Sequence, residues 1–449
     1  MKKTNLILLF LMALVWASCH KDKEMNAKDP IVSNVEMTVS ETQARFSWQV
    51  DFAGEFHTCV EVSQDENMSD LKRVEASKEG DKFLAVVDGL SAGTKLYYRI
   101  LVWNKFNNYE QEVKDFSTSP YTISVSCFPE GGGTVTGGGT YSVGDTCILK
   151  VKANTGYIFL NWTENGQQIS NEMEFSFTVT SDRHIVANFI LVPTGAIKGL
   201  FTINENGDQV FFSQGNLQYH IGDSIWRFAL HQYDTIGKQN YYNFFNGNWI
   251  DLFGWGTGDN PTNASHDNGD YTVFVDWGNN AISNGGNQAG MWHTLSAEEL
   301  QYLFISRSNA SIKYGIGNVD GIGGLIILPD NWSCPMNVIF NSGFSSDDKD
   351  WSHNSYTVLQ WQLMENEGAV FLPAAGEREF YFDSGGGGAI VWPCNVFGNY
   401  WSYTGRYESA RFMQFWSTDL NPQSSDYGSS TYISGSYSGI SVRLVQSAE

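Results

Sequence analysis

The side chains of this sequence that could do chemistry are six cysteines, eight histidines and an aromatic, amide-rich stretch near the C-terminus. Cys19 closes an apolar run, Leu6 to Val15, behind the small residues Ala17 and Ser18. The histidines stand at 20, 57, 184, 220, 231, 266, 293 and 353. None lies in HExxH or in another metal-ligand spacing, and the cysteines contain no CxxC. A GxSxG nucleophile elbow is missing, and nothing marks the paired carboxylates of a glycosidase. Asp347 to Asp350 and Asp259 to Asp270 are oxygen-rich, but such clusters are also what solvated turns contain, and they are read as turns. Gly131 to Gly139 lacks the Gly-Lys-Ser/Thr ending of a phosphate loop. What remains is recognition chemistry. Residues 392–411 offer Trp392, Asn399, Tyr403, Arg406, Tyr407, Glu408 and Arg411, the flat rings, amides and charged groups that suit sugar faces and protein hot spots. The chain is therefore expected to be non-enzymatic, without cofactor or metal, and to bind through loops at 392–411 and 416–432.

Composition says what can position such loops. Gly is abundant at 45, Pro scarce at 10, and there are 15 Trp, 21 Tyr and 29 Phe. That balance favours short strands joined by tight turns over long helices. The formal charge of −22 repels nucleic acid, so no such partner is expected.

Residues 1–18 read as a signal peptide with Lys2 and Lys3 as its charged start. Its apolar run of about ten residues is too short to span a ~30 Å hydrocarbon core. Trp16-Ala17-Ser18-Cys19 resembles the lipobox of bacterial lipoproteins, with Trp16 where the family has Leu. The resemblance implies acylation of Cys19 and anchoring in the outer membrane. His20-Lys21-Asp22-Lys23-Glu24 is similar to the export signal of Bacteroidetes lipoproteins, which implies exposure at the cell surface. Of the other cysteines, Cys127 and Cys147 flank one Gly-rich, hairpin-like stretch and are the best candidate disulfide. The alternative leaves all five free and buried.

The fold class expected is mainly β and multidomain. A charged tether covers 19–29. Over 30–118, Ala44, Phe46, Trp48 and Val50 alternate with polar residues, as do Leu96, Tyr98, Ile100 and Val102, the mark of half-buried strands. Leu90 to Asn104 resembles the E–F region of fibronectin type III sandwiches, with Trp48 as the core Trp and Leu96 in place of the corner Tyr. Residues 120–190 are similar to a bacterial repeat related to the internalin B-repeat, on the order GGTVTG, GTY, GD, GYIFLNWTENG and VANF.

The last unit, 195–449, holds two helix starts. Ser296 with Glu299 and Thr357 with Gln360 form capping boxes, and Leu300, Leu303, Phe304 and Leu359, Leu363, Met364 are the expected buried faces. Leu372, Trp401, Val442 and Leu444 read as core, and Arg443 as the partner of a buried acid. Cys334 and Cys394 read as buried thiols or a disulfide. The stretches Trp226 to Ala229, Asp251 to Gly256, Ser283 to Asn287, Gly368 to Gly376, Tyr400 to Ser402 and Ser441 to Val445 look like the Fibrobacter major paralogous domain. That resemblance implies a C-type-lectin-like α+β head with two helices. The function expected is a membrane-anchored lipoprotein that binds or adheres to a glycan or protein ligand. The alternatives are a structural part of the envelope or a fimbria-like assembly and, behind it, a carbohydrate-active enzyme.

Overall fold

The computed structural model describes residues 29–240, 248–383, 386–405, 410–424 and 436–448. It is mainly β, and its contacts divide the chain into two compact units. The first holds residues up to Ser124 with 138–147 and 176–183; the second holds the rest, so that residues 120–190 contribute to both.

The first unit is built on a two-sheet sandwich. One sheet contains β1 (Ile31–Val39), β2 (Gln43–Asp51), β5 (Ser77–Glu79) and β6 (Lys82–Asp88) in the order β1-β2-β6-β5. The other contains β3 (His57–Ser63), β4 (Lys72–Glu75), β7 (Lys95–Trp103), β8 (Asn108–Glu110) and β9 (Lys114–Ser117), ordered β4-β3-β7-β8 with β9 also on β7. The alternation seen in the sequence decides which faces meet. Ala44, Phe46 and Trp48 point inward from β2, and Leu96, Tyr98 and Ile100 from β7, into one core with Val60, Val62 and Phe116. Trp48 is fully buried, and its indole Nε1 donates to Thr58 Oγ1 at 3.1 Å, which satisfies the one polar atom it carries inward. Gly93 makes the turn before β7 at φ +66°; a Cβ there would stand 2.4 Å from Ser142 Oγ.

In the second unit β11 (Gly133–Thr136) pairs with β13 (Thr146–Ala153), and β14 (Tyr157–Glu164) pairs with both β15 (Gln167–Ser170) and β16 (Arg183–Leu191). Phe159 packs edge-on to Trp162 and Phe189. The Gly-rich run has a packing reason, since a Cβ on Gly133 would lie 2.3 Å from the Phe189 ring. The candidate disulfide is not formed: Cys127 and Cys147 are both thiols. Their strands are not hairpin partners, because β10 (Tyr121–Phe128) pairs with β12 (Gly139–Tyr141) and β13 with β11. Cys127 Sγ instead donates to Gly133 O, and Cys147 is buried.

From Pro193 onward short sheets surround several aromatic-rich cores. Both expected helices are present, each with a complete capping box: α1 (Ala297–Gln301), which widens into a π turn over Tyr302–Ser306, and α2 (Val358–Asn366). Leu300, Leu303 and Phe304 are buried as expected. On α2 the expected face is right for Met364 and wrong for the two leucines. Leu359 is 74% exposed and Leu363 is exposed, while Trp361 and Met364 turn inward. Trp361 packs edge-on against Phe371 at 5.4 Å, and its large ring sets the rotation of this short helix. Leu372, Trp401, Val442 and Leu444 are core. Arg443 is buried, yet its guanidinium donates to the amide Oε1 of Gln232 at 2.7 Å rather than to the expected carboxylate. Cys334 and Cys394 are free, and Cys334 is exposed, contrary to both expectations for it.

Candidate functional site

The loop residues singled out in the sequence come from several elements. Tyr403 follows the strand Gly398–Trp401, whose Trp401 is core. Its backbone N–H donates to Leu295 O at 3.0 Å, and its ring stands 6.3 Å from Phe274. The ring is 47% exposed on a fixed backbone. Next to it, Thr404 Oγ1 accepts from Ala297 N and donates to Glu298 Oε2, tying this loop to the first turn of α1. Arg411 reaches Glu298 at 3.9 Å. Tyr403, Thr404, Arg411 and Glu298 thus form one partly exposed patch.

Trp392 lies on another part of the head. Its backbone N–H donates to Glu377 O, and its indole Nε1 to Glu379 Oε2 at 2.9 Å, which leaves the ring partly exposed. Asn399 is not available to a ligand. It is 1% exposed, and its Nδ2 donates to Glu377 Oε2 at 2.6 Å. It sits within a strand whose four residues are all buried, so its amide serves a buried carboxylate. Arg406, Tyr407 and Glu408 lie outside the described residues, as do Cys19 and the part of the second loop from 425 to 432.

Two features were not found by reading the sequence. The first is on the three-stranded sheet formed by residues Leu217–His220, Ile225–Phe228 and Trp249–Ile250. Arg227 lies over the Trp249 ring at 3.6 Å and donates through Nε to Gln218 Oε1 at 2.9 Å, while the His220 ring stands 4.9 Å from Trp249. This is a cation–π platform on the half-exposed side of the sheet. The signal was the alternation Ile225, Trp226, Arg227, Phe228; the missing part was the partner Trp249, whose pairing depends on the His220–Trp249 register. The second is a cleft of about 590 Å³ within the second unit, lined by residues that include Leu191, Phe211, Met291, His293 and Gln446. Gln446 Oε1 is enclosed and accepts no hydrogen bond among the described residues. A cleft of this volume takes a small ligand.

Catalytic chemistry is harder to build from these groups. Asp251 is fully buried, and burial raises its carboxyl to about 6, against the pull of hydrogen bonds from Ile236 N and Asn240. Those bonds fasten the 236–240 turn, which is a positioning task. Burial also raises the Cys394 thiol, so it is a poor nucleophile at neutral pH despite its 3.1 Å contact with Thr235 Oγ1. The oxygen-rich loops use their carboxylates locally: Asp267 Oδ1 accepts from Gly269 N, and Asp350 accepts from Ser345 Oγ and Ser352 N. Among the described residues no group of three or more His, Cys, Asp or Glu is placed to hold a metal ion.

Comparison with known proteins adds one family. Residues 123–193 match the divergent InlB B-repeat domain. No curated protein matches the chain. Among solved structures, a two-domain fibronectin type III segment of chicken tenascin is 12% identical, covering 40% of this chain and 90% of its own at a TM-score of 0.18. The chicken CNTN1 FN1-FN3 domains are 8% identical, covering 42% and 77% at a TM-score of 0.18. A redesigned β-sandwich protein is 19% identical, covering 20% and 93% at a TM-score of 0.18.

Proposed function

We propose that this protein is a lipid-anchored binding or adhesion module of the outer membrane, exposed at the cell surface, whose head takes a glycan or protein ligand without chemical conversion. The observation that carries the reading is Tyr403, a large ring held exposed by a fixed backbone beside the buried Trp401. Such a ring contributes nothing obvious to the core and loses little entropy when a flat ligand face covers it. The repeat match over 123–193 and the sandwich fit a spacer between anchor and head. The fibronectin type III-like assignment of 30–118 and the C-type-lectin-like assignment of 195–449 belong to this proposal, as does acylation of Cys19. In this reading Tyr403 and Arg411 meet the ligand on one patch, and Trp392 and the Arg227–Trp249 platform offer further contacts.

A purely structural role has less behind it. β1 is the nine-residue edge of its sheet, but a bulge interrupts its register between Ser33 and Glu36, and Asn34 sits at φ 52°. Bulged, charged edges resist the strand addition that fibres require.

The test is a glycan array probed with the full chain, followed by Tyr403→Ala and Trp392→Ala. Loss of an anchoring ring lowers affinity by roughly tenfold or more with an unchanged melting temperature. Normal binding by both variants overturns the assignment of the face. Fractionation of Cys19→Ala with the membrane, unchanged from wild type, overturns the anchor.

A further inference from the structure

One end of the sandwich carries more exposed aromatic surface than its core explains. Ile31 pairs with Asp51, so the chain enters β1 at the end where β2 finishes. The loop 52–56 follows at once, and the pairing of His57 with Trp103 and of Trp103 with Asn108 brings the 104–107 turn to the same end. Four rings meet there: Phe52 and Phe56 at 5.9 Å, Phe52 and Tyr109 at 6.0 Å, Phe56 and Phe83 at 5.5 Å. All four are only partly buried. Beyond them Phe106 is 76% exposed and Ile31 is 46% exposed. Lys105 Nζ lies 4.6 Å from the Phe106 ring. The exposed charges around these loops are mostly acidic: Asp51, Glu55 and Asp81.

We infer that this pole is a lipid-contact surface, which seats the sandwich on the bilayer that holds its N-terminal acyl chains. The inference rests on the proposed acylation of Cys19. Eleven residues separate Cys19 from Ile31, a reach of roughly 40 Å at full extension. The end of the sandwich nearest that anchor is the end that shows its rings. Aromatic rings with a neighbouring Lys are the side chains that settle at the headgroup level, the ring inward and the ammonium outward. The acidic residues at the same pole oppose anionic headgroups, so the surface fits a bilayer of neutral lipid.

The experiment uses the lipidated full chain in phosphatidylcholine vesicles that contain a trace of phosphatidylcholine with a diazirine on its acyl chain. After irradiation, adducts are mapped by mass spectrometry. They are expected on peptides covering 51–57 and 103–109, above a control peptide covering 305–313. Phe106→Ser should reduce the adducts about fivefold, whereas Ile312→Ser, at an exposed site on the second unit, should leave them unchanged. Replacing a third of the lipid, roughly, with phosphatidylglycerol should lower the yield; a higher yield overturns the neutral-lipid assignment. Vesicle-bound protein with adducts spread evenly, or with no response to Phe106→Ser, overturns the pole. Protein that stays in the supernatant with Cys19 unmodified overturns the anchor reading and this inference with it, a result distinct from bound protein without adducts.

Discussion

Glu61 offers a sharp test of the sandwich, because it is a charge with no access to water. Val60 and Val62 fill the core, so Glu61 points from β3 to the opposite side of its sheet, yet its side chain is fully buried. What covers it is cationic. Arg73 Nε donates to Glu61 Oε1 at 2.8 Å, and Arg99 Nε donates to Oε2 at 2.7 Å; Arg99 also pairs with Glu110. Burial alone would raise the carboxyl, but the hydrogen bonds from Arg99 and Arg73 outweigh it and hold it below the usual glutamate value. Glu61→Gln keeps the shape and removes the charge. Charge-assisted hydrogen bonds contribute about 1.5–3 kcal/mol each. The Arg73 bond is discounted because that side chain is about half in water, and Arg99 keeps Glu110. The expected loss is about 2 kcal/mol, or roughly thirtyfold in local opening. Hydrogen exchange read by mass spectrometry on the β3 and β7 peptides measures it without requiring the whole chain to unfold in one step. The sign with pH is fixed. A carboxyl with a depressed folded pKa stabilises above its unfolded value, about 4.3, and loses that contribution as pH falls through the folded value. Wild type and variant, compared at equal pH, should therefore differ fully above about pH 5 and converge as pH falls through the lowered folded value. Equal exchange rates at pH 7, or a difference that grows on acidification, would refute the reasoning.

Three further outcomes follow from the geometry. Gly93→Ala should destabilise the first unit by about 1–3 kcal/mol, because it forces a Cβ at φ +66° against Ser142; unchanged exchange of β7 amides counts against the turn. Trp361→Ala should cost about 3–5 kcal/mol, while Leu359→Ser changes stability by less than about 0.5; similar melting curves for both would mean that α2 is rotated from its described setting. Asp251→Asn should flatten the pH dependence of the second unit between about 4 and 6, since the raised carboxyl makes wild type lose stability as pH rises through that window; denaturant melts at pH 4.0 and 6.5, on the scale of model carboxylates at about 4, decide it.

What the sequence revealed and what it hid divide along a physical line. Period-two alternation marks residues that must face inward whatever the partner strand is, so Ala44, Phe46 and Trp48 could be assigned to a core before any pairing was known. Capping boxes are local, and both were legible because Ser296 with Glu299 and Thr357 with Gln360 satisfy backbone groups three residues away. The rotation of α2 was not legible. Its apolar residues Leu359, Leu363, Trp361 and Met364 cover more than one side of the helix, and the rings of Phe371 and Tyr356, outside the helix, select Trp361 for burial. Asn399 misled for the same reason. An amide between aromatic residues reads as a ligand contact, but Glu377 claims it from 22 residues away. Arg443 finds Gln232 across 211 residues, a separation over which a sequence offers no signal for choosing an amide over a carboxylate. The Cys127–Cys147 pairing failed because a Gly-rich segment was taken for one hairpin when it joins strands that pair elsewhere. The site suffers most from this, since a binding face is made of residues whose exposure is decided last, by which neighbours take the buried places. Tyr403 is left partly outside because it lies past the end of the strand whose last residue, Trp401, fills the core and donates from Nε1 to Phe253 O at 2.7 Å.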